Sequence, residues 1–207
     1  MRDWDRGLRG LGFGVLLATS QVPFGHAEVA YPNYAQYQAR AYAEFARDCL
    51  MRRGPQPECA GMLEAAITFN PSDATSQFLL GQYQFLSGDR ARALASFAQV
   101  QRLKPEQHDV LLWMGELYLQ DGKPGPAREK FEQYARLRPE RWEGLVGQAS
   151  VKALQGETAA AIALLKQAIS KGYHPTPDLL AAPEWGRLKT DPGLLKLLAD
   201  SSAPATP

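Results

Sequence analysis

Few side chains in this 207-residue chain are equipped for catalysis. The histidines are His26, His108 and His174, and the cysteines are Cys49 and Cys59. That set leaves little material for a metal site, which needs three or four such donors to converge. His108 and His174 lie at or beside turns, where a solvated imidazole at a helix end is the plain reading. No glycine-rich loop follows a strand, so nothing marks a phosphate cradle. The carboxylates are spread along helix surfaces and are not paired in an apolar pocket, as general acid–base work would require. No catalytic group, metal or cofactor is assigned on these grounds.

The two cysteines offer a different chemistry. Nine residues separate Cys49 from Cys59 across the turn "RRGPQPE". In an exported protein, an isolated pair at facing levels of a helical hairpin suggests a disulfide. Two buried thiols are the alternative. The repeat register described below sets Cys49 two residues past the inward position, about 200° around a helix. A small slip in register would bring it round.

Export is suggested by the first residues. "MRDWDRGLRG" sets three arginines against two aspartates, "LGFGVLLATSQVPF" is a short apolar run, and "GHA" places Gly25 and Ala27 at peptidase spacing. The expectation is a signal peptide over residues 1–27, cleaved after Ala27, and a periplasmic mature protein. An uncleaved anchor is the alternative. The run is short and ends in Thr19, Ser20 and Gln21, so no stable membrane span is expected after cleavage. The whole chain carries a net charge of +1, and without residues 1–27 it has 20 basic and 20 acidic residues. Neither balance points to nucleic acid or to an anionic membrane surface.

The elements that position these residues come from a period. Shifting the chain by 34 residues places Gly81 on Gly115 and Ala149, and Gly88 on Gly122 and Gly156. The same shift aligns Ala93, Ala127 and Ala161, then Phe97, Phe131 and Leu165, then Pro71, Pro105 and Pro139. Small residues on two antiparallel helices let them approach closely. Glycines at 88, 122 and 156 suit the left-handed end of a first helix. Bulky residues at 97, 131 and 165 are expected to fill the space between hairpins, and the prolines to stop each second helix. On this register "DGKPGP" (121–126) is a turn inside one array, with Pro124 and Pro126 in the first turn of a helix.

These columns resemble the tetratricopeptide repeat, in "SQFLLGQYQFLSGDRARALASFAQVQRLKP", "VLLWMGELYLQDGKPGPAREKFEQYARLRP" and "GLVGQASVKALQGETAAAIALLKQAISKGY". The resemblance implies an all-α, right-handed α-α superhelix. Its units would be residues 74–107, 108–141 and 142–175. A helix and a degenerate repeat (28–73) would come before them, with Arg47 and Cys59 replacing small partners. A helical cap (176–200) would follow, with Leu194, Leu195, Leu197 and Leu198 covering the last unit, and then a disordered tail (201–207). Tyr173 replaces the third terminal proline, so the last second helix is expected to end differently.

Family members commonly bind ligands in the concave groove lined by first helices. The period places Phe78, Gln82 and Phe85 there from the first full repeat, Leu112, Glu116 and Leu119 from the second, and Val146, Ser150 and Ala153 from the third. Asp109 and Glu143 fall near the rim. In chaperone adaptors of the family, lysines and asparagines clamp a peptide's terminal carboxylate; Phe78, Gln82, Leu112 and Glu116 hold the corresponding places here, which disfavours that ligand. An apolar groove with an acidic edge instead suits an amphipathic helix or an apolar extended segment. The groove is either open or self-filled, its side chains being core or covered by the N-terminal helix folding back. The recurrent cations Arg102, Lys104, Arg136, Arg138 and Arg141 fit solvated helix ends. The expected function is a non-catalytic adaptor or scaffold of the cell envelope that binds another protein. The alternative is a structural subunit of an envelope or secretion assembly that uses its stacking ends or convex face. An enzyme or small-ligand binder would need a closed pocket with converging polar groups.

Overall fold

Each repeated column becomes a helix boundary or a packing site. The computed structural model describes residues 33–202. The leader assigned to residues 1–27, the start of the first unit (28–32) and the last five residues lie outside the described residues. The described helices are α1 (Tyr34–Arg53), α2 (Pro57–Phe69), α3 (Ala74–Leu86), α4 (Arg90–Leu103), α5 (Val110–Gln120), α6 (Pro124–Leu137), α7 (Glu143–Leu154), α8 (Thr158–Ser170) and α9 (Pro192–Ser202). They pair as α1–α2, α3–α4, α5–α6 and α7–α8, and the hairpins stack in chain order. The result is an all-helical repeat superhelix.

Glycine ends each first helix. Gly88, Gly122 and Gly156 have φ of 79°, 66° and 77°. Around them Asp89, Lys123 and Glu157 donate backbone N–H bonds to the carbonyls of Gln84, Tyr118 and Lys152 at 2.8, 2.8 and 2.9 Å. This paired closure satisfies carbonyls that the helix leaves open. Starts are set by side chains. The Asp73 carboxylate accepts from the N–H groups of Thr75 and Ser76, and Asp89 accepts from that of Arg92. Proline opens α2 and α6, where a missing N–H costs little. Where the third unit lacks its proline, Gly172 (φ 91°) ends α8, and Tyr173 turns back to donate its N–H to the Ala168 carbonyl.

The small columns have a partner that differs in part from expectation. A Cβ built at Gly81 would lie 2.6 Å from the Phe97 ring, and one at Gly115 would lie 2.6 Å from Phe131. The bulky residue therefore presses on the small residue of its own hairpin. Phe131 also meets Gly147 of the next hairpin, so the expected filling between hairpins holds there. Trp113, the residue one period before Gly147, stacks on Phe97 with ring centroids 6.0 Å apart. Inside the first full repeat, the Ser96 hydroxyl donates to the Gln84 amide oxygen at 2.7 Å, so both buried polar groups are satisfied.

The structure joins Cys49 to Cys59, with Cα atoms 5.7 Å apart. The register does not slip. Gly54 (φ 73°) ends α1 in the column of the other turn glycines, and Cys59 takes the buried place of Ala93, Ala127 and Ala161. Cys49 lies four residues from the end of α1, close to the turn, where the two backbones are near enough for the bond despite its angular offset.

The segment expected to be a helical cap is different in its first half. Residues 177–188 form two 3-10 turns, Pro177–Ala181 and Pro183–Leu188, and only then does α9 begin. Prolines at 175, 177 and 183 deny this stretch the N–H groups of a continuous helix. The Asp191 carboxylate accepts from the Leu194 N–H at 2.8 Å and caps α9. Of the four leucines expected to cover the last unit, Leu194 is buried and Leu197 and Leu198 are half-buried, whereas Leu195 is exposed. α9 also runs past residue 200, into what was expected to be tail. There the Ser201 hydroxyl donates to the carbonyls of Leu197 and Leu198.

Candidate functional site

α3, α5 and α7 carry the residues assigned to the groove. Phe78, Gln82, Phe85, Leu112, Glu116 and Val146 are half-buried, and Leu119, Ser150 and Ala153 are buried. Their surroundings divide the face in two.

At α7 the face is filled from within. The 177–188 strap lays its second turn against α7, and Trp185 is fully buried among Ala149, Ala153 and Leu188, with Val146 packed alongside. The Trp185 Nε1–H donates to the Ser150 Oγ at 3.1 Å. Burial pushes the neighbouring Glu184 carboxyl above its usual range, and the Glu116 carboxylate adds to the rise; its own backbone N–H and the Ser150 hydroxyl oppose it by hydrogen bonding. Val146 and Ser150 are therefore seats for the chain's own strap. The sequence held one sign of this, a tryptophan after the last repeat, but no local pattern pairs it with a serine 35 residues earlier.

The strap packs chiefly on α7, and over α3 and α5 an aromatic cluster forms that sequence reasoning missed. Trp113 lies edge-on to Phe78 (6.3 Å) and Phe85 (5.2 Å). Phe78 also touches Phe97. Trp113 occupies the column of Leu79 and Gly147, and that shared column was the available signal. The two phenylalanines are thus braced from behind and half-exposed in front. Leu112 packs against the clusters on both sides of it.

The rim is less acidic than its composition suggests. Arg141 forks onto the Glu143 carboxylate, its Nε 3.1 Å from Oε2. The Tyr134 hydroxyl donates to Asp109 at 3.4 Å; its own pKa is raised by burial first and then by Glu143 and Asp109. Glu116 keeps its charge to itself. It accepts a hydrogen bond from the Gln120 amide at 3.1 Å, and no cation pairs with Glu116 or Glu184 among the described residues.

Other places offer less. A cleft of about 380 Å³ between α1 and the start of α3 is lined by Gln36, Arg40, Glu44, Arg47, Asn70 and Asp73. Glu44 is paired with Arg40, and Asp73 is engaged in capping α3. Of the recurrent cations, Arg138 pairs with Glu140 at 3.8 Å, while Arg102, Lys104 and Arg136 are exposed. Among the described residues no group of three His, Cys, Asp or Glu could hold a metal, and no helix is long and apolar enough to cross a membrane.

Comparison with known proteins places this geometry. A family profile described as "Tetratricopeptide repeat" matches residues 60–108, 78–125 and 114–175. No curated protein matches the chain in sequence. Among solved structures, residues 41 to the end of MamA from Desulfovibrio magneticus RS-1 superpose with a TM-score of 0.62 at 16% identity, over 81% of this chain and 98% of that one. YrrB, described as a TPR protein with an unusual peptide-binding site, gives 0.58 at 15% identity over 80% and 86%. An O-GlcNAc transferase from Thermobaculum terrenum gives 0.62 at 13% identity over 70% of this chain and 28% of its own. At such identities the likeness speaks to fold alone.

Proposed function

Since the chain belongs to the tetratricopeptide repeat family, we propose that it is a non-catalytic adaptor or scaffold that holds a segment of another protein on the concave face of α3 and α5. The observation that carries this is the division of the face. The chain fills its own groove at α7 and leaves Phe78, Phe85 and Leu112 half-exposed beside an unneutralised Glu116. An apolar strip with one lone charge is a binding surface in search of a partner. The peptide-binding site named for YrrB supports the same use of the fold. Periplasmic residence belongs to this reading as well. It is supported by the leader-like residues 1–27 and by the disulfide, which persists in oxidising compartments.

The test is co-purification from the cell envelope with the wild type and with Leu112→Glu. The charged variant should lose its partners while keeping its helical content and melting cooperatively. Equal retention by a folded variant would place binding elsewhere.

A second reading has its own observation. Phe45 on α1 is 61% exposed, although one period later Leu79 is only 5% exposed against the preceding hairpin. Tyr34 and Tyr37 continue the exposed row. Among the described residues no further hairpin stacks on this end, and it suits a structural subunit docked end-on. Loss of co-purifying partners from Phe45→Glu but not from Leu112→Glu would favour it.

A further inference from the structure

The strap shows how a segment is seated in this groove, and the period carries that seat onto the open part. Trp185 is buried in one cluster with Ala149 and Ala153, its N–H donating to Ser150 and Val146 packed against that cluster. The strap that delivers it is not an α-helix. It is a proline-punctuated chain of 3-10 turns, narrow enough to lie against α7. One period earlier the same columns hold Gly115, Leu119, Glu116 and Leu112; two periods earlier, Gly81, Phe85, Gln82 and Phe78. Gly115, Leu119 and Gly81 are buried against the phenylalanines of α6 and α4, and Glu116, Leu112, Phe85, Gln82 and Phe78 remain half-buried.

Charge changes along this row only at the polar position, held by Ser150, Glu116 and Gln82. Ser150 accepts from a neutral indole N–H, whereas Glu116 offers a carboxylate at the corresponding place. Nothing within the described chain neutralises it. The Gln120 amide bonds it, and a second carboxylate, Glu184, lies near it at the edge of the strap. A bound segment that ends against the strap meets this charge at its last seat. A lysine or arginine satisfies it, and a neutral side chain leaves it unpaired.

We infer that the open groove takes an extended, proline-punctuated segment of a partner protein, laid as the strap is laid, with an apolar or aromatic anchor on Leu112 and Phe85 and a cationic side chain on Glu116. This rests on the reading that the groove binds protein. It goes further in choosing an extended segment over an amphipathic helix and in naming the residue that sets charge preference.

Fluorescein-labelled ten-residue peptides test it directly with the full mature chain. One set carries two prolines, one tryptophan and one lysine, with the tryptophan–lysine spacing varied from one to four. A second set replaces lysine by norleucine, and a third places the same apolar and basic residues in a helix fixed by a hydrocarbon staple. The best lysine peptide should bind about tenfold tighter than its norleucine counterpart at low salt, the size of one charge-assisted hydrogen bond. Glu116→Gln should shrink that advantage below about threefold, and Glu116→Lys should reverse it, both with unchanged melting. Equal binding of lysine and norleucine peptides, an advantage that survives Glu116→Gln, or tighter binding of the stapled helix would overturn the inference. Any of these leaves the groove itself in place if Leu112→Glu still weakens the norleucine peptide. If no peptide binds saturably, or Leu112→Glu changes nothing, the groove reading fails and the inference goes with it.

Discussion

Gly81 is a glycine because of Phe97. The ring occupies the space a Cβ would need, and it cannot retreat, since it is fully buried between Phe78 and Trp113. Gly115 and Phe131 repeat the pair. The third repeat solves the same contact with a smaller ring-less residue, Leu165, and so accepts Ala149, and both are buried. Size is conserved in the sum of the two positions. Gly81→Ala should therefore cost about 1–3 kcal/mol by overpacking, despite the better helix propensity of alanine. Adding Phe97→Leu should recover part of that loss, because the pair then copies Ala149 and Leu165. Urea denaturation of the two single variants and the double variant measures the coupling, and strictly additive losses would refute the pairing. The columns themselves were readable from the 34-residue shift. Their partners were not, because a period aligns equivalent positions without saying which neighbour each one faces.

At the scale of elements, the first hairpin depends most on a covalent bond. α1 lacks the small inward residue of later repeats, since Arg47 stands in that column. Its contact with α2 relies on Ala43, Ala46, Leu63 and Ala66 and on the Cys49–Cys59 bridge. The closed loop is short, with a sequence separation of 10, so its loss should cost about 2–3 kcal/mol. In a stacked array that cost stays local. Hydrogen exchange on the reduced protein, or on Cys49→Ser/Cys59→Ser, should show faster exchange in α1 and α2 and unchanged protection in α5 to α8. Uniform loosening along the chain would contradict a local staple. The elements were legible to very different degrees. Turn glycines announce the ends of α3, α5 and α7 almost to the residue, because such a signal acts within a few residues of itself. The strap was hidden because its prolines say only what it cannot be. Its actual path is fixed by Trp185 finding Ala149, Ser150 and Ala153, a contact set by tertiary packing. The α7 part of the candidate groove changed meaning for this reason: the period assigns Val146 and Ser150 to the face, but it does not reveal that the chain's own strap packs on them.

For the molecule as a whole, the two ends are unlike, and the difference governs how stability is distributed. The α1 end keeps Tyr34, Tyr37 and Phe45 exposed. The other end is closed twice, by the strap on α7 and by α9 on α8. Trp185, Leu188 and Leu194 are all buried there, and each large apolar side chain taken from water contributes about 1.5–3 kcal/mol before its ordering cost. Ending the chain after residue 175 removes all three and uncovers Ala149, Ala153 and Leu165. Nearest-neighbour stacking then predicts where the damage falls. α7 and α8 should lose exchange protection first, α3 and α4 should keep most of theirs, and the melting temperature should fall by roughly 10 °C for a net loss of a few kcal/mol. Trp185→Ala in the full chain should give an effect of comparable size with the backbone intact, about 3–5 kcal/mol for a buried tryptophan. A shortened chain that melts like the parent, with α7 still protected, would mean that the strap rides on the groove without closing it. Its seat would then be available to an outside segment, and the open groove would run the full length of the array.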